Sequence, residues 1–196
     1  MGVQERKQRE KAAMQQLILE TANSLFEQKG IDHISIRNIA RAIEYSPATI
    51  YLYFKDKNEI LYYLTDTFIR EFEMKLREFN FIKDHFSRLK NISQSWLEYA
   101  INNPQKYQMI FTSNGKLQEN KLYIYLNESV LECVHANQLQ RMPASEAGAI
   151  IISFLHGMSV LVINKKFNIQ AKSELRDHLG ELINRFLNNM KGYAMV

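Results

Sequence analysis

Cysteine, proline and glycine are scarce in this 196-residue chain: one, three and seven respectively. A lone Cys133 makes no internal disulfide and lacks the clustered partners of a zinc site, so no disulfide scaffold, metal, redox chemistry or cofactor is expected. No stretch is rich in Pro, Gly or Ser, which leaves one sizeable core or a small domain fused to a larger one. The N-terminus, MGVQERKQREKAA, is charged and leads into no apolar run, so no secretory leader is expected. No window of the eighteen or so uncharged residues that a membrane span needs is expected either, and the default address is the cytoplasm, with no membrane partner. Charge of one sign is also modest. The formal net charge is +4 with a pI near 9.0, yet residues 1–60 carry nine Lys/Arg against eight Asp/Glu. Any basic surface must come from the placement of particular side chains.

What is present is helical periodicity. Met14, Leu17, Ile18, Ala22, Leu25 and Phe26 form one apolar stripe, and the helix they imply ends at Gly30. Ser35 can cap a helix carrying Ile36, Ile39, Ala40 and Ile43; Ser46 can cap the next, with Pro47 at its first position, where the missing N–H costs nothing. Asp56 and Glu59 resemble a capping box opening a long helix whose Ile60, Leu64, Phe68, Phe72 and Leu76 fall every four residues. Beyond this connector, helices are expected near 83–102, 104–113, 117–140, 144–166 and 171–190. AGAIIISFLHGMSVLVI, residues 147–163, is apolar nearly all round and must be buried on most sides. The fold class is therefore all-α, with about nine helices.

Two short helices around a tight turn, the second capped by Ser46, make a helix-turn-helix if the second presents its N-terminal half outward. Ile50 and Phe54, four apart, can pack against Ile36, Ile39, Ala40 and Ile43, leaving Pro47, Ala48, Thr49 and Tyr53 on other faces. Small residues at 46–49 suit a surface entering a major groove. The hydroxyls of Tyr51 and Tyr53, the charges of Lys55 and Lys57, and the N–H groups at the helix starts of Ser35, Ser46 and Asp56 can hold phosphate oxygens. Taken singly, each aromatic reads rather as core and each lysine as solvated surface; the combination carries the argument. Cys133 and His135, two apart on a helix, point to different faces, and with no phosphate loop or nucleophile–base pair an enzyme is not expected.

SIRNIA at 35–40 and SPATIYLYFKDKNEIL at 46–61 resemble the TetR family of one-component transcriptional regulators. The family's Ala-Gly-Val turn is Ile43, Glu44 and Tyr45 here, and its later glycine is Ala48. A positive φ at residue 44 would cost glutamate roughly 1 kcal/mol relative to glycine. The resemblance implies a helix-turn-helix domain over 1–56 and a ligand-binding and dimerisation domain over 57–196. It implies that Ser46, Pro47, Ala48 and Thr49 meet the groove of double-stranded operator DNA, and that Tyr51, Tyr53 and Lys57 contact backbone phosphates together with Ser35 and Arg37. Arg37 and Thr49 are the expected base readers, with Pro47 and Ala48 against thymine methyls.

NPQKYQMIF at 103–111 and HGM at 156–158 resemble a subgroup of C-terminal domains named for Trp, His and Gly. Most C-terminal aromatics read as core. Trp96, Tyr99, Tyr107, Phe111, Phe154 and His156 are the candidates for a small-molecule effector site, the effector being apolar or aromatic. Gly148, Ile151, Leu155, Gly157, Leu179 and Phe186 are the candidates for a homodimer interface between the last two helices. The leading reading is a ligand-responsive repressor; the alternative is a ligand-binding or scaffold protein of the same fold without operator binding.

Overall fold

Five side chains start helices by accepting a backbone N–H. Ser35 takes Asn38 N at 3.1 Å, Ser46 takes Thr49 N at 3.1 Å, Asp56 takes Glu59 N at 2.9 Å, Asp84 takes Ser87 N at 2.8 Å and Asn120 takes Leu122 N at 2.9 Å. The computed structural model describes residues 2–112, 120–140, 142–167, 169 and 171–191. Among these there are nine α-helices and no strand: α1 (Val3–Lys29), α2 (Ile36–Ala42), α3 (Pro47–Tyr51), α4 (Lys57–Arg77), α5 (His85–Asn102), α6 (Pro104–Thr112), α7 (Lys121–His135), α8 (Ala144–Ile163) and α9 (Lys172–Asn189). Short 3₁₀ turns at Ile31–His33 and Glu78–Phe81 join the larger elements.

Boundaries shift from the sequence expectation by a few residues for local reasons. α1 stops at Gly30, whose φ of 81° suits glycine. α7 ends at His135 rather than at 140, because Asn137 adopts a left-handed φ of 53°; its expected start at 117 lies outside the described residues. Lys165, with φ 52°, closes the α8 turn two residues past the helix end. The turn between α2 and α3 has Glu44 at φ 60°, the conformation that a glycine would adopt without strain.

The chain divides into two compact units, Met1–Phe68 and Ile69–Val196, so α4 lends residues to each. In the first, Ile18, Ala22 and Phe26 of α1 share a core with Ile36, Ile39, Ala40, Ile50, Phe54, Ile60, Leu64 and Phe68. Phe26 and Phe68 meet at 5.2 Å between ring centroids. In the second, α5 lies against α7, α8 and α9, and Phe72 stacks on Tyr99 at 3.9 Å and 6°. Cys133 sits fully buried here, and desolvation pushes its thiol up to about 12.

The expectation that no segment reaches membrane-span length does not hold for α8. Ser145–Ile163 is long and apolar enough, with a mean hydropathy of 1.8. In this chain one face of that helix is core: Ala147, Ile151, Ile152, Leu155, Met158 and Val162 are buried, and α5 and α7 pack on it.

Candidate functional site

Ile50 and Phe54 are both buried, which turns the opposite side of α3 outward. Ser46, Pro47 and Ala48 are exposed, Thr49 is half-buried, and Tyr51 is 57 % and Leu52 75 % exposed. The Ser46 and Thr49 hydroxyls lie 2.9 Å apart and share a hydrogen bond, so base contact by either competes with that bond. Arg37 is exposed on α2, and Lys55 is exposed just before α4. Tyr53 and Lys57 are half-buried. Thus the expected groove and phosphate residues do share one unit, on α2, on α3 and at the start of α4.

Two details differ from the sequence reading. The third N–H of each helix start is taken by its own cap, so the preceding positions are what a phosphate can meet at Ser35, Ser46 and Asp56. The Glu59 carboxylate accepts from Lys55 N at 2.5 Å instead of from Asp56 N, one residue off a reciprocal capping box. Sequence reasoning passed over Tyr45, Leu52 and Tyr62 as surface residues, which are exposed in the same unit as the recognition helix. Their exposure follows from the α3 turn and α4 phase, which apolar patterning reads as core.

In the second unit, the expected effector residues separate into a cluster and an outlier. Trp96 Nε1 donates to the Tyr107 hydroxyl at 3.1 Å, and that hydroxyl lies 3.0 Å from His156 Nδ1. Phe111 closes the group, 5.6 Å from Trp96, 4.5 Å from Tyr107 and 5.1 Å from His156 between ring centres. Burial raises the Tyr107 hydroxyl to about 12 and lowers the His156 imidazole from its ordinary value. A neutral His156 can therefore accept at Nδ1 from Tyr107 while Tyr107 accepts from Trp96. Tyr99 joins this group only through Phe72, which contacts both Tyr99 and Trp96; its buried hydroxyl has no hydrogen-bond partner and is raised by desolvation and by Glu71.

Phe154 is not in the cluster. It stacks on Phe186 of α9, because residues 154 and 156 lie on opposite sides of α8. A cleft of about 460 Å³ between α5 and α9 was not anticipated; its lining mixes Leu97, Ile101 and Ile183 with charged groups such as Glu98, Arg176 and Asp177, brought together from two helices far apart in the chain.

The proposed interface residues need correction. Ile151, Leu155 and Leu179 are 0, 1 and 2 % exposed within a single chain, so they are core rather than contact surface. Gly148 is buried against α7: a Cβ there would run into the Asn127 side chain. Gly157 is exposed, with open space where a Cβ would stand, and Phe186 is half-buried. The outward apolar side of α8 is instead Ile150, Val160 and Leu161, at 45, 40 and 43 % exposure, with Ser153 and Gly157 between them.

The family model for bacterial regulatory proteins of the tetR family matches residues 18–64, which hold α2, α3 and the start of α4. An HTH-type transcriptional regulator of Staphylococcus aureus strain USA300 is 32 % identical over 107 residues, covering 53 % of this chain and 56 % of that relative; its counterpart in strain MRSA252 is 31 % identical over the same length. The chain thus spans a little over half the length of the curated relatives it matches. Among solved structures, a TetR-family transcriptional regulator of Pectobacterium atrosepticum has a TM-score of 0.73 at 12 % identity, over 95 % of this chain and 98 % of that one. A putative transcriptional regulator of Saccharomonospora viridis in complex with choline has 0.67 at 18 %, over 93 % and 100 %. These likenesses establish the fold across both units, and the sequence match falls on the helix-turn-helix. Residues 18–64 are thus similar to the tetR family of bacterial regulatory proteins, and the chain as a whole shares the fold of solved TetR-family regulators.

Proposed function

We propose that this chain is a transcriptional repressor that binds a palindromic operator as a homodimer and is released by a small apolar or aromatic effector. The observation that carries the reading is the outward side of α3. Ser46, Pro47 and Ala48 offer a small, polar-to-apolar surface that fits a major groove, and Tyr51, Tyr53, Lys55 and Lys57 follow where phosphates would lie. Two such helices on a two-fold dimer read half-sites about 34 Å apart.

The effector would enter beside Phe111 and His156, the half-buried members of the aromatic cluster, and exploit the Trp96–Tyr107–His156 hydrogen bonds as its polar handle. The choline held by the Saccharomonospora viridis protein supports small-molecule binding in this architecture. The same cluster supports a C-terminal domain of the Trp-His-Gly type. Since α4 gives Ile60, Leu64 and Phe68 to one core and Phe72 and Leu76 to the other, a ligand that alters one core biases the other. Coupling of about 1 to 3 kcal/mol is usual, and operator and effector must weaken each other by the same factor.

Selection from a random duplex library tests the operator reading. It should enrich a palindrome, and Lys57→Ala and Tyr51→Phe should weaken binding to all duplexes about equally, the lysine change flattening the salt slope by roughly one unit. If both variants keep full affinity for the selected duplex, α3 does not dock as described. A protein that enriches nothing favours the scaffold reading, to which the exposed acid Glu44 lends support.

A further inference from the structure

We propose that the N-terminal overhang of α1 is a second DNA-backbone contact, carried by Lys7 and Lys11, that extends the track of Tyr53, Lys55 and Lys57. The inference rests on the DNA-binding reading above and adds a surface to it.

The core stripe of α1 begins at Ile18, and every described side chain from Gln4 to Ala13 is exposed. Nearly three turns of helix, about 15 Å, therefore project before the first buried residue. Their direction is fixed at one point: Gln15 Nε2 lies 3.5 Å from the Tyr53 carbonyl, so this side of α1 runs past the end of the recognition helix. At about 100° per residue, Gln4, Gln8 and Lys11 continue the Gln15 side within about 40°, and Lys7 lies about 80° round. A helix that sought to dock on its own domain would carry apolar residues there; this one carries lysines and glutamines.

The acids are disposed elsewhere. Glu10 lies about 140° away from Gln15, where it pairs with Arg6 at 2.8 Å on the back of the helix. Glu5 turns to the helix start and accepts from Gly2 N at 3.0 Å. The side continuous with Tyr53 is thus positive and free of carboxylates apart from Glu5 at its margin, although the overhang as a whole mixes both signs. A polyanion lying along α3, Lys55 and Lys57 is the partner this arrangement complements, and Lys7 and Lys11 would each neutralise one phosphate.

The test is a salt series from 50 to 200 mM KCl on the full-length protein, with a mixed-sequence 40-base-pair duplex followed by fluorescence anisotropy. Each lost phosphate contact flattens the slope of log K against log salt by about 0.9, so Lys7→Gln/Lys11→Gln should flatten it by about 1.8 and lose roughly tenfold less affinity than wild type across that range. Lys7→Arg/Lys11→Arg should keep the wild-type slope, and Arg6→Gln, on the back, should leave it unchanged. A wild-type slope in Lys7→Gln/Lys11→Gln alongside a flatter one in Lys57→Ala overturns the overhang contact and leaves the recognition-helix reading standing. Equal flattening by Arg6→Gln overturns the assigned side. A wild-type protein that binds no duplex at 50 mM overturns both readings.

Discussion

Phe154 of α8 lies flat on Phe186 of α9, their ring centroids 4.0 Å apart and their planes 5° from parallel. Both rings are half-buried, so the stack forms a platform beside the exposed apolar side of α8. A second copy covering that platform would bury Ile150, Val160, Leu161 and Gly157 in a four-helix arrangement.

Dimerisation through this surface predicts that Leu161→Asp and Gly157→Glu give monomers. An unpaired charge buried at an interface costs about 3 kcal/mol, roughly a hundredfold in the dimer dissociation constant. Light scattering at micromolar concentration reads the change. Ile151→Asp should instead unfold the chain, since that side chain is core; intact dimers in both surface variants would move the interface elsewhere.

Caps predict a graded loss of stability in the first unit. Ser35→Ala and Ser46→Ala each remove the acceptor for a helix-starting N–H and should cost about 1 kcal/mol in urea unfolding. Ser46→Ala also frees the Thr49 hydroxyl from its partner, so its DNA affinity should change more than its stability alone explains.

Glu44 predicts the opposite sign. Its φ of 60° is strained for any side chain, and Glu44→Gly should raise stability by up to about 1 kcal/mol, the gain being trimmed by the larger backbone entropy of glycine when unfolded. A higher urea midpoint at constant slope is the expected result; a lower one means the glutamate makes a compensating contact.

The Trp96–Tyr107–His156 chain predicts both a stability loss and a pH dependence. Tyr107→Phe leaves Trp96 Nε1 without its acceptor and should cost about 1 to 3 kcal/mol, with a shift in emission readable because Trp96 is the sole tryptophan. Burial holds the His156 pKa below 6.5. The unfolded chain therefore binds the proton more readily, and stability falls as pH drops below about 6.5 toward the folded value. His156→Gln should remove that part of the acid loss.

The helix-turn-helix was legible because its determinants are local: Ser35, Ser46 and Pro47 act within one turn, and Ile50 and Phe54 share a side by spacing alone. Even the strained turn could be read, from a glutamate standing where the family has glycine. The second unit was less legible. An all-round apolar helix such as α8 does not disclose which side meets its own chain, and the interface residues chosen for it mix two sides: 148, 151 and 155 lie together, whereas 157 is about 180° from 148. Phe154 and His156 were grouped although two residues apart, against the same geometry that separates Cys133 from His135. The Tyr107 bridge between Trp96 and His156, which are 60 positions apart in the chain, depends on tertiary packing that no short window contains.

The buried thiol of Cys133 has a practical side. With burial holding its pKa far above neutrality, the thiol stays protonated at neutral pH, and the sulfur is shielded from solvent besides. A maleimide added to the folded protein will therefore pass over the native cysteine. Any cysteine placed at a surface position, such as 8 on the overhang or 153 on the outward side of α8, becomes the single reactive thiol without a prior Cys133 replacement, so one dye or spin label per chain can report on the DNA contact or on subunit pairing.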